Sequence, residues 1–402
     1  MSLIIDPLSV ISILTLRYDV TAPLPMPKLD SNDFIQKPIS DPEKNVEKII
    51  SNYYNKNLDP KSHIGISLSS GVDSTLLLAL LKKFYPDLTV DSFSIRFSNS
   101  LDETEMAKNI ANDLNSTHHI IDVENYFEEL PKAISITKLP FWDIHWYYLA
   151  KYASSYSDTI ISGDGGDELF GGYTFRYSSF LESINSNPTT REKTISYLNC
   201  HNRDWIPEQK QLFGENLSFD WEKIYSDIDQ YFNNSLDVLD QIFLADFNGK
   251  LLYNWLQLNP KINSFFNLKS VSPFTDRELI NFSSHIPNNL KYNPKTKIGK
   301  LILRKMLSKF NVERFVIPKK QGFSINTKNH WENYAKKLCK NFLIDGELIK
   351  DKLINKNWIL ENIDKNLDVR YVNKFYGLLA LEIWYRQFIS KNMSSSEKLI
   401  MK

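Results

Sequence analysis

Cysteine is scarce in this chain of 402 residues. Its two cysteines, Cys200 and Cys339, lie far apart, and neither belongs to a CxxC pair or a zinc-binding pattern. A disulfide framework needs several closely spaced cysteines, so none is expected here. A reduced compartment fits this composition, and we predict a cytoplasmic location.

An excess of charge is also missing, since 48 Lys and Arg residues balance 48 Asp and Glu residues. No broad field therefore favours nucleic acid or an acidic membrane as a partner. Near the N-terminus, the apolar run over residues 10–16 is too short to span a bilayer, and no basic segment precedes it. We expect a soluble protein with neither a nucleic-acid nor a membrane partner.

What the sequence does contain, over residues 64–83, is a strand-like run, a turn of small residues and a helical pattern. The turn, Ser69-Ser70-Gly71, leads into Val72, Asp73 and Ser74. A helix N-terminus offers unpaired N–H groups to an anion, and an aspartate beside it can hold Mg²⁺ that bridges phosphate oxygens. An ordinary strand-to-helix turn with capping Ser and Asp side chains is the alternative interpretation.

Strand-like and helix-like segments alternate over residues 60–180. Strands are predicted at 64–68, 90–97, 119–123 and 159–162, and helices at 74–83, 102–114 and 142–155. This alternation predicts an α/β fold with a parallel, doubly wound sheet. Ligands of such sheets bind outside the carboxyl ends of the strands.

A second turn, SGDGGDELFGGY, follows the last of these strands at residues 162–173. It holds five of the chain's 13 glycines and three carboxylates, those of Asp164, Asp167 and Glu168. Glycines let the backbone approach a ligand closely, and crowded carboxylates are costly unless a cation or a reacting ligand neutralises them. A solvated acidic loop is the competing interpretation.

The remaining chain divides into two further parts. Prolines are dense in residues 1–59, which predicts a wrapping arm or connector. Residues 181–402 are predicted to be mostly helical, with an aromatic-rich core. The predicted helices there are 236–258, 276–284, 300–309, 331–342 and 375–388.

These segments resemble the PP-loop ATP pyrophosphatases, and more specifically the synthetase domain of asparagine synthetases and β-lactam synthetases. Residues 69–74 resemble the S-G-G-x-D-S loop that grips the pyrophosphate of ATP, and residues 162–173 resemble the family's second turn. With the further matches, the resemblance covers roughly residues 60–390. These matches are SPFTD at 272–276 with V-P-F-L-D, KLILR at 300–304 with K-x-x-L-R, PKKQGF at 318–323 with P-K-Q-G-F, and 378–388 with L-x-L-E-x-W.

The resemblance implies an ATP-dependent synthetase that adenylates a small-molecule carboxylate and transfers ammonia or an amine to it. It assigns ATP binding to Leu68, Ser69, Ser70, Gly71, Val72, Asp73, Ser74, Ile95, Gly163 and Lys300. It assigns Mg²⁺ to Asp73 and Asp167. It assigns catalysis to Asp164, as general base or acceptor-orienting group, to Lys320, as a stabiliser of phosphoryl charge, and to Glu168, as a substrate contact beside Asp143.

Spacing alone favours different roles for some of these residues. Lys300 and Arg304 are four residues apart on a predicted helix, which by itself indicates a surface pair. The histidines His118, His119 and His145 show no metal or triad spacing, so structural roles are expected for them.

Four positions depart from the family pattern. Ser70 replaces a glycine, and Lys269 and Val271 replace a glutamate and an arginine, which favours an acceptor other than aspartate. Ser2 stands where full-length relatives carry the cysteine nucleophile of a glutaminase domain, so no such domain is expected in this chain. Nitrogen is therefore expected from free ammonia, a separate glutaminase chain or an amine on the substrate.

Several alternatives stay open. One is a β-lactam-synthetase-like enzyme or another small-molecule amide ligase. A tRNA-modifying PP-loop enzyme and a non-catalytic ATP-binding relative are the others. Homodimer formation is also left open.

Overall fold

The computed structural model describes residues 5–97, 102–316, 326–365 and 367–400. Within these ranges, five strands form one parallel sheet in the order β3-β2-β1-β4-β5. The strands are β1 (Ile64–Ser67), β2 (Val90–Phe97), β3 (Thr117–Val123), β4 (Thr159–Ile161) and β5 (Lys269–Val271). The predicted α/β class with a parallel, doubly wound sheet is confirmed.

The strand order reverses between β1 and β4. From β1 the chain proceeds outward to β2 and β3, then returns to place β4 on the other side of β1. Ile66 of β1 is in register with both Ser92 and Ile161, and every residue of β1 is buried. The sequence of a central strand covered on both faces is a short apolar run, so β1 could be recognised from its sequence. The carboxyl ends of β1 and β4 therefore border the crevice in which such folds bind ligands.

The fifth strand was not predicted. Lys269–Val271 pairs in parallel with β4, with Ile161 opposite Val271. Three residues are too few to show an alternating pattern, so the local sequence carried little strand signal. The sheet thus takes one strand from the region predicted to be mostly helical.

The α-helices of the described ranges are numbered in chain order. They are α1 (Pro7–Leu16), α2 (Pro42–Asn57), α3 (Val72–Phe84), α4 (Thr104–Asp113), α5 (Leu130–Thr137), α6 (His145–Ala153), α7 (Gly166–Phe170), α8 (Thr174–Ser183), α9 (Thr190–Cys200), α10 (Gln209–Leu212), α11 (Trp221–Phe232), α12 (Val238–Asp246), α13 (Leu256–Phe265), α14 (Arg277–Ser284), α15 (Leu301–Leu307), α16 (Thr327–His330), α17 (Lys336–Leu343), α18 (Glu347–Lys350), α19 (Lys356–Asn362) and α20 (Val369–Phe388).

Shorter elements complete the fold. Two strands, β6 (Tyr292–Asn293) and β7 (Ile298–Gly299), form an antiparallel pair. The 3₁₀ turns are Ser31–Phe34, Pro273–Thr275, Asn288–Leu290, Ser308–Phe310 and Glu313–Phe315. Of the helices described, none has the length and apolar character needed to cross a membrane.

The helix predicted over residues 236–258 is not a single α-helix. Between α12 and α13 lies a π-helical stretch, Phe247–Trp255, and within it the backbone of Gly249 leaves helical angles (φ −94°, ψ −122°). Glycine disfavours a continuous helix, which is the local reason for the break. A second π-helical stretch, Trp331–Ala335, precedes α17. The other helices predicted after residue 181 are present as α14, α15 and α20.

The hydrophobic core joins the three predicted parts of the chain. Most of α1 is buried, and it packs on α20 near the other end of the sequence. The carbonyl oxygen of Leu14 accepts hydrogen bonds from Gln209, at 2.9 Å, and from Lys374. A second apolar cluster contains residues of α2, β1, α3 and α15. The division at residues 59 and 180 stays a prediction, although both apolar clusters extend across it.

Candidate active site

A cavity of about 370 Å³ lies at the carboxyl ends of β1 and β4. It is bordered by the loop after β1, the loop after β4 and the start of α15. These are the loops that flank the reversal of strand order, where open α/β sheets bind their ligands. The two turns singled out in the sequence therefore meet at one site.

The loop after β1 is held by its own serines. Ser74 Oγ accepts from the Ser69 N–H at 3.1 Å and donates to the Ser69 carbonyl at 3.2 Å. Helix α3 then begins at Val72 with Gly71 as N-cap, and no side chain caps its first turn. An uncapped N-terminus directs N–H groups and partial positive charge toward an anion.

Ser70, which replaces a family glycine, fits the loop without strain. Its backbone φ is not positive, so the position does not require glycine. Its side chain is fully buried, and its Oγ donates to Glu103 Oε2 at 3.0 Å. Burial raises the pKa of Glu103, and this hydrogen bond partly offsets the rise.

Lys300 connects the two loops. Its ammonium forms an ion pair with Asp73 of α3 and lies 2.7 Å from Oδ1 of Asp167 in α7. Lys300 is only 7% exposed, so the surface position inferred from spacing alone is wrong. That inference treated Lys300 as part of a helical face, whereas α15 begins one residue later and Lys300 has a left-handed backbone (φ 56°).

Two glycines of the second turn are required by this packing. A Cβ on Gly166 would lie 2.6 Å from Cγ of Asp73. A Cβ on Gly172 would lie 2.5 Å from Cε of Lys300 and would overlap the Asp167 carboxylate. The glycine-rich turn therefore allows the backbone to lie directly against the charged cluster.

The donor set at this cluster fits Mg²⁺. Oδ1 of Asp73 is buried and makes no hydrogen bond within the described ranges, and Asp167 supplies a second carboxylate nearby. No group of three or more His, Cys, Asp or Glu ligands occurs among the residues described. Mg²⁺ commonly uses one or two carboxylates, with substrate phosphates and water completing its shell, so two aspartates suffice.

Asp164 is held on the loop after β4. Its Oδ2 accepts hydrogen bonds from Ser162 Oγ, at 2.9 Å, and from Asn259 Nδ2 of α13, at 2.7 Å. Asn259 was not predicted as a site residue, because nothing in the local sequence of α13 shows that it reaches β4. The Asp164 carboxylate borders the cavity in a defined orientation.

Glu168 is buried at the end of the same cavity. Its Oε1 accepts from the Tyr173 hydroxyl at 2.6 Å. Desolvation by burial raises the pKa of Glu168 to about 7, against the lowering effect of that hydrogen bond. Its carboxyl group also borders a second, adjoining cavity.

Sequence reasoning named Asp143 as a substrate contact but missed its pairing with His145, for which a structural role was expected. Asp143 Oδ1 accepts from Tyr126 Oη and pairs with His145 Nδ1, each at 2.8 Å, and both members of the pair border the cavity. Burial raises the pKa of Asp143, but the charge and hydrogen bond of His145 outweigh it, so the net shift is downward. Burial lowers the pKa of His145, but Asp143 and then Asp164 raise it above its ordinary value. The available signal was Asp-x-His just before a helix.

Other predicted residues lie elsewhere. Leu68 and Ile95 are buried in the sheet and do not border the cavity, although the Leu68 N–H donates to the Phe93 carbonyl at 2.9 Å beside it. Lys320, with residues 317–325, lies outside the described ranges. Arg304, expected on the surface from spacing, borders the cavity.

The two departures at Lys269 and Val271 fall in β5. Val271 is buried beneath the sheet edge and Lys269 is exposed. Neither residue borders the cavity at the ends of β1 and β4 or the second, adjoining cavity. Both residues belong to β5, the strand at the edge of the sheet.

The second cavity is larger, about 1220 Å³, and shares six lining residues with the first: Glu103, Asp143, Glu168, Tyr173, Thr174 and Trp255. Ion pairs line its far wall. Asp204 pairs with Lys250 and with Arg17, the latter at 3.5 Å, and Arg176 pairs with Asp246 at 2.8 Å. The chain therefore has a polar chamber that opens from the site at the ends of β1 and β4.

The model of the family described as asparagine synthase matches residues 46–386. The chain belongs to the asparagine synthase family. The matched span includes both glycine-containing turns, Lys300 and the Asp143–His145 pair. Family membership thus rests on most of the chain and agrees with the resemblance seen in its motifs.

Relatives within the asparagine synthase family are moderately similar. A glutamine-hydrolyzing asparagine synthetase of Bacillus subtilis is 26% identical over 392 residues, which cover 88% of this chain and 61% of the relative. The enzyme of that name from Gallus gallus is 30% identical over 148 residues, 33% of this chain and 26% of the relative. The chain thus spans about three fifths of the Bacillus relative's length.

Among solved structures, an NMN synthetase from Francisella tularensis aligns with 53% of this chain and 96% of its own. The TM-score is 0.29 and the sequence identity 17%, too low to bear on function. Membership of the asparagine synthase family is carried by the sequence match instead.

Proposed function

We propose that the protein is an ATP-dependent amide-forming synthetase. A substrate carboxylate attacks the α-phosphorus of ATP, pyrophosphate leaves, and ammonia or an amine then displaces AMP from the acyl-adenylate. One observation carries the proposal: Lys300 joins Asp73 after β1 to Asp167 after β4, at the crevice between these two strands. A cationic group between two acidic loops suits a polyphosphate with its metal ion.

The geometry supports the proposed roles of the described residues, and the role of Lys320 rests on the resemblance alone. The uncapped N-terminus of α3, with Ser69–Ser74, receives the pyrophosphate portion of ATP. Asp73 and Asp167 would hold Mg²⁺, which neutralises phosphate charge when bound. Lys300 adds positive charge beside the departing pyrophosphate, and Lys320 stays assigned to the phosphoryl charge. No protein nucleophile is needed, because positioning and charge stabilisation supply most of the rate.

The adenosine and acceptor positions are proposed around these groups. Gly163 borders the cavity and lies against Asp73. Leu68 and Ile95 would contribute backbone, since their side chains are buried in the sheet. Asp164, held by Ser162 and Asn259, would orient the reacting acceptor group. Glu168 would contact the substrate where the two cavities meet.

The adjoining chamber favours an acceptor other than aspartate. Its volume of about 1220 Å³ exceeds the roughly 300–1,000 Å³ of common small-ligand sites. Its wall contains Arg17, Arg176 and Lys250, each paired with an aspartate, so it can receive a further polar portion of an acid. A β-lactam-synthetase-like enzyme, or another amide ligase for a larger acid, is therefore the second candidate.

Nitrogen is proposed to come from ammonia, from a separate glutaminase chain or from an amine on the substrate. The relatives' names describe glutamine hydrolysis for those proteins. A cytoplasmic location remains part of this proposal.

The proposal is tested by pyrophosphate release from ATP and Mg²⁺, measured over a panel of amino-acid carboxylates with and without ammonia. Wild type is compared with Asp73→Ala and with Asp87→Ala, a control aspartate that is exposed beyond the end of α3. We expect release with at least one acid, loss in Asp73→Ala and wild-type rates in Asp87→Ala. Release with aspartate would identify an asparagine-forming enzyme, and release only with other acids would identify the second candidate.

Bound ATP without pyrophosphate release for any acid would contradict the proposal and support a non-catalytic relative. Retention of tRNA at low salt would instead support a tRNA-modifying enzyme. The balanced charge of the chain argues against that outcome.

A further inference from the structure

The pair formed by Asp143 and His145 has no role in carboxylate activation as proposed above. We infer that His145 is the general base that takes the proton from the attacking amine in amide formation, with Asp143 as its positioning residue. This inference rests on the proposed function and adds a catalytic residue to its second step.

The first support is location. His145 is the first residue of α6 and lines the cavity that also contains the loop after β1 and Asp164. Asp143 lies two residues earlier and borders both cavities. The pair therefore lies between the loops proposed to bind phosphate and the chamber, which is where an activated carboxylate and an amine must react.

The second support is the tautomer that the hydrogen bonds require. Asp143 is ionised, since its pKa is lowered, so its carboxylate accepts and cannot donate. His145 Nδ1 must then carry the hydrogen that points to Asp143 at 2.8 Å. In the neutral imidazole the basic lone pair is consequently on Nε2. Tyr126 also donates to Asp143 Oδ1, which keeps the carboxylate in this orientation.

The third support is electrostatic. Asp143 on the segment before α6 and Asp164 on the loop after β4 both stabilise the imidazolium that forms when Nε2 gains a proton. Arg17 at the end of α1 and Tyr126 after β3 face Asp143 and favour its charged form. The arrangement resembles a base held by a carboxylate, which is effective when the base's pKa lies near the working pH.

Asp164 is suited to a different task. Its Oδ2 already accepts hydrogen bonds from Ser162 and Asn259. A carboxylate held in this way can orient the amine and stabilise positive charge on it. Proton removal is left to the neighbouring imidazole.

The step balances as follows. The amine lone pair forms a bond to the acyl carbon, and the carbonyl electrons move to oxygen. His145 Nε2 takes one proton from the nitrogen. When the carbonyl reforms, the bond between carbon and the adenylate oxygen breaks, so AMP leaves with that electron pair. The imidazolium then releases its proton to water.

The test separates the two half-reactions. Exchange of labelled pyrophosphate into ATP reports carboxylate activation, and amide formation reports both steps. The probes are the amino-acid panel with ammonium chloride, and the variants are His145→Gln and Asp143→Asn. The control is His119→Gln, because His119 also pairs with an aspartate, Asp91, at 2.7 Å, but away from the cavity.

We expect His145→Gln to keep exchange within about twofold of wild type and to lose amide formation by about 100-fold or more. Hydroxylamine, which is unprotonated near neutral pH, should still give hydroxamate in this variant. Asp143→Asn should keep exchange and move the acid limb of amide formation to lower pH, because the imidazolium loses its carboxylate. His119→Gln should match wild type in every assay.

Equal loss of exchange and amide formation in His145→Gln, or full amide formation, would overturn the role of His145 alone. An unshifted pH profile in Asp143→Asn would overturn the positioning role of Asp143. Wild type without exchange for any acid would overturn the proposed function, and the role of His145 with it.

Discussion

Lys300 Nζ lies 2.7 Å from Oδ1 of Asp167 and also contacts the carboxylate of Asp73, although these aspartates belong to turns 94 positions apart. All three side chains are largely buried, so each charge depends on the others for compensation. This one lysine therefore holds both turns together beside the cavity.

Replacement of Lys300 by Met should remove activity and make stability depend on Mg²⁺. Without the ammonium, Asp73 and Asp167 repel each other in a buried site, at a cost of about 3 kcal/mol in unfolding free energy. Mg²⁺ bound to the two carboxylates would recover part of this loss, so addition of Mg²⁺ should raise the Tm more in the variant than in wild type. Thermal unfolding with and without Mg²⁺ measures this.

The control for that experiment is Lys305→Met, because Lys305 lies in α15 with its side chain 71% exposed and pairs with Glu43. A surface ion pair contributes about 0–1 kcal/mol, so little change is expected. An equal rise in Tm on addition of Mg²⁺ in wild type and Lys300→Met would contradict the interpretation that Lys300 compensates the charges of both aspartates.

Gly166→Ala should destabilise the protein by about 1–3 kcal/mol and reduce pyrophosphate release, because the new methyl group would push against the Asp73 carboxylate. Gly377→Ala is the matched control. Its Cβ would meet only Leu14 Cδ2, at 3.6 Å, and alanine is favoured within α20 by about 1 kcal/mol. Urea unfolding of both variants should therefore give changes of opposite sign, and the same sign in both would refute the argument.

Ser70→Gly, which restores the family glycine, should weaken this protein. It removes the hydrogen bond to Glu103 and adds backbone freedom to a loop that does not need it, for a loss of about 1 kcal/mol in unfolding free energy. The KM for ATP should rise several-fold. Ser70→Ala separates the hydrogen bond from the backbone effect, and tighter ATP binding in Ser70→Gly would show that serine is a compromise.

His330 should make the fold sensitive to acid. Desolvation by burial lowers its pKa from 6.5 to about 4. Because the unfolded chain binds a proton at higher pH than the folded one, unfolding free energy is lost as the pH falls from about 6.5 toward 4, reaching about 3 kcal/mol from this group. His330→Gln should abolish that part of the slope.

Urea unfolding at several pH values between 7 and 4 measures the effect of His330. Exposed His63 supplies the control, since His63→Gln should leave the slope as in wild type. Parallel pH profiles for wild type and His330→Gln would exclude the buried histidine as the cause.

Local sequence patterns were sufficient to predict most strands of the sheet. Strands β1 and β2 combine apolar runs with clear boundaries, and β4 leads directly into its glycine-rich turn, so these strands were predicted, as were helices α3, α4 and α6 between them. β5 was missed because its three residues include the exposed Lys269 and Ser270, whereas the equally short β4 is fully buried and mostly apolar. The helix through Gly249 was predicted as continuous because apolar spacing persists across a backbone that is not α-helical.

The residues at the site likewise fall into those that local motifs predicted and those that they did not. Asp73, Asp164, Asp167 and Glu168 were identified because they stand in compact motifs, where glycines and carboxylates occur close together along the chain. Spacing alone placed Lys300 on the surface, and a structural role was expected for His145. The partners of Lys300 are distant in sequence, and Asp143, the partner of His145, stands in no recognised motif. Leu68 and Ile95 were expected at a cavity that their buried side chains do not border.

Short-range chemistry thus specified the α/β class and the acidic, glycine-rich turns, because strand period, helix entry and close backbone approach are all encoded by neighbouring residues. Tertiary packing decided which charges share one buried space. It brought Lys300 between two aspartates, turned Asp143 and His145 toward the same cavity, and opened a polar chamber beside them. Such contacts depend on three-dimensional distance and desolvation, and neither is expressed in the order of residues along the chain.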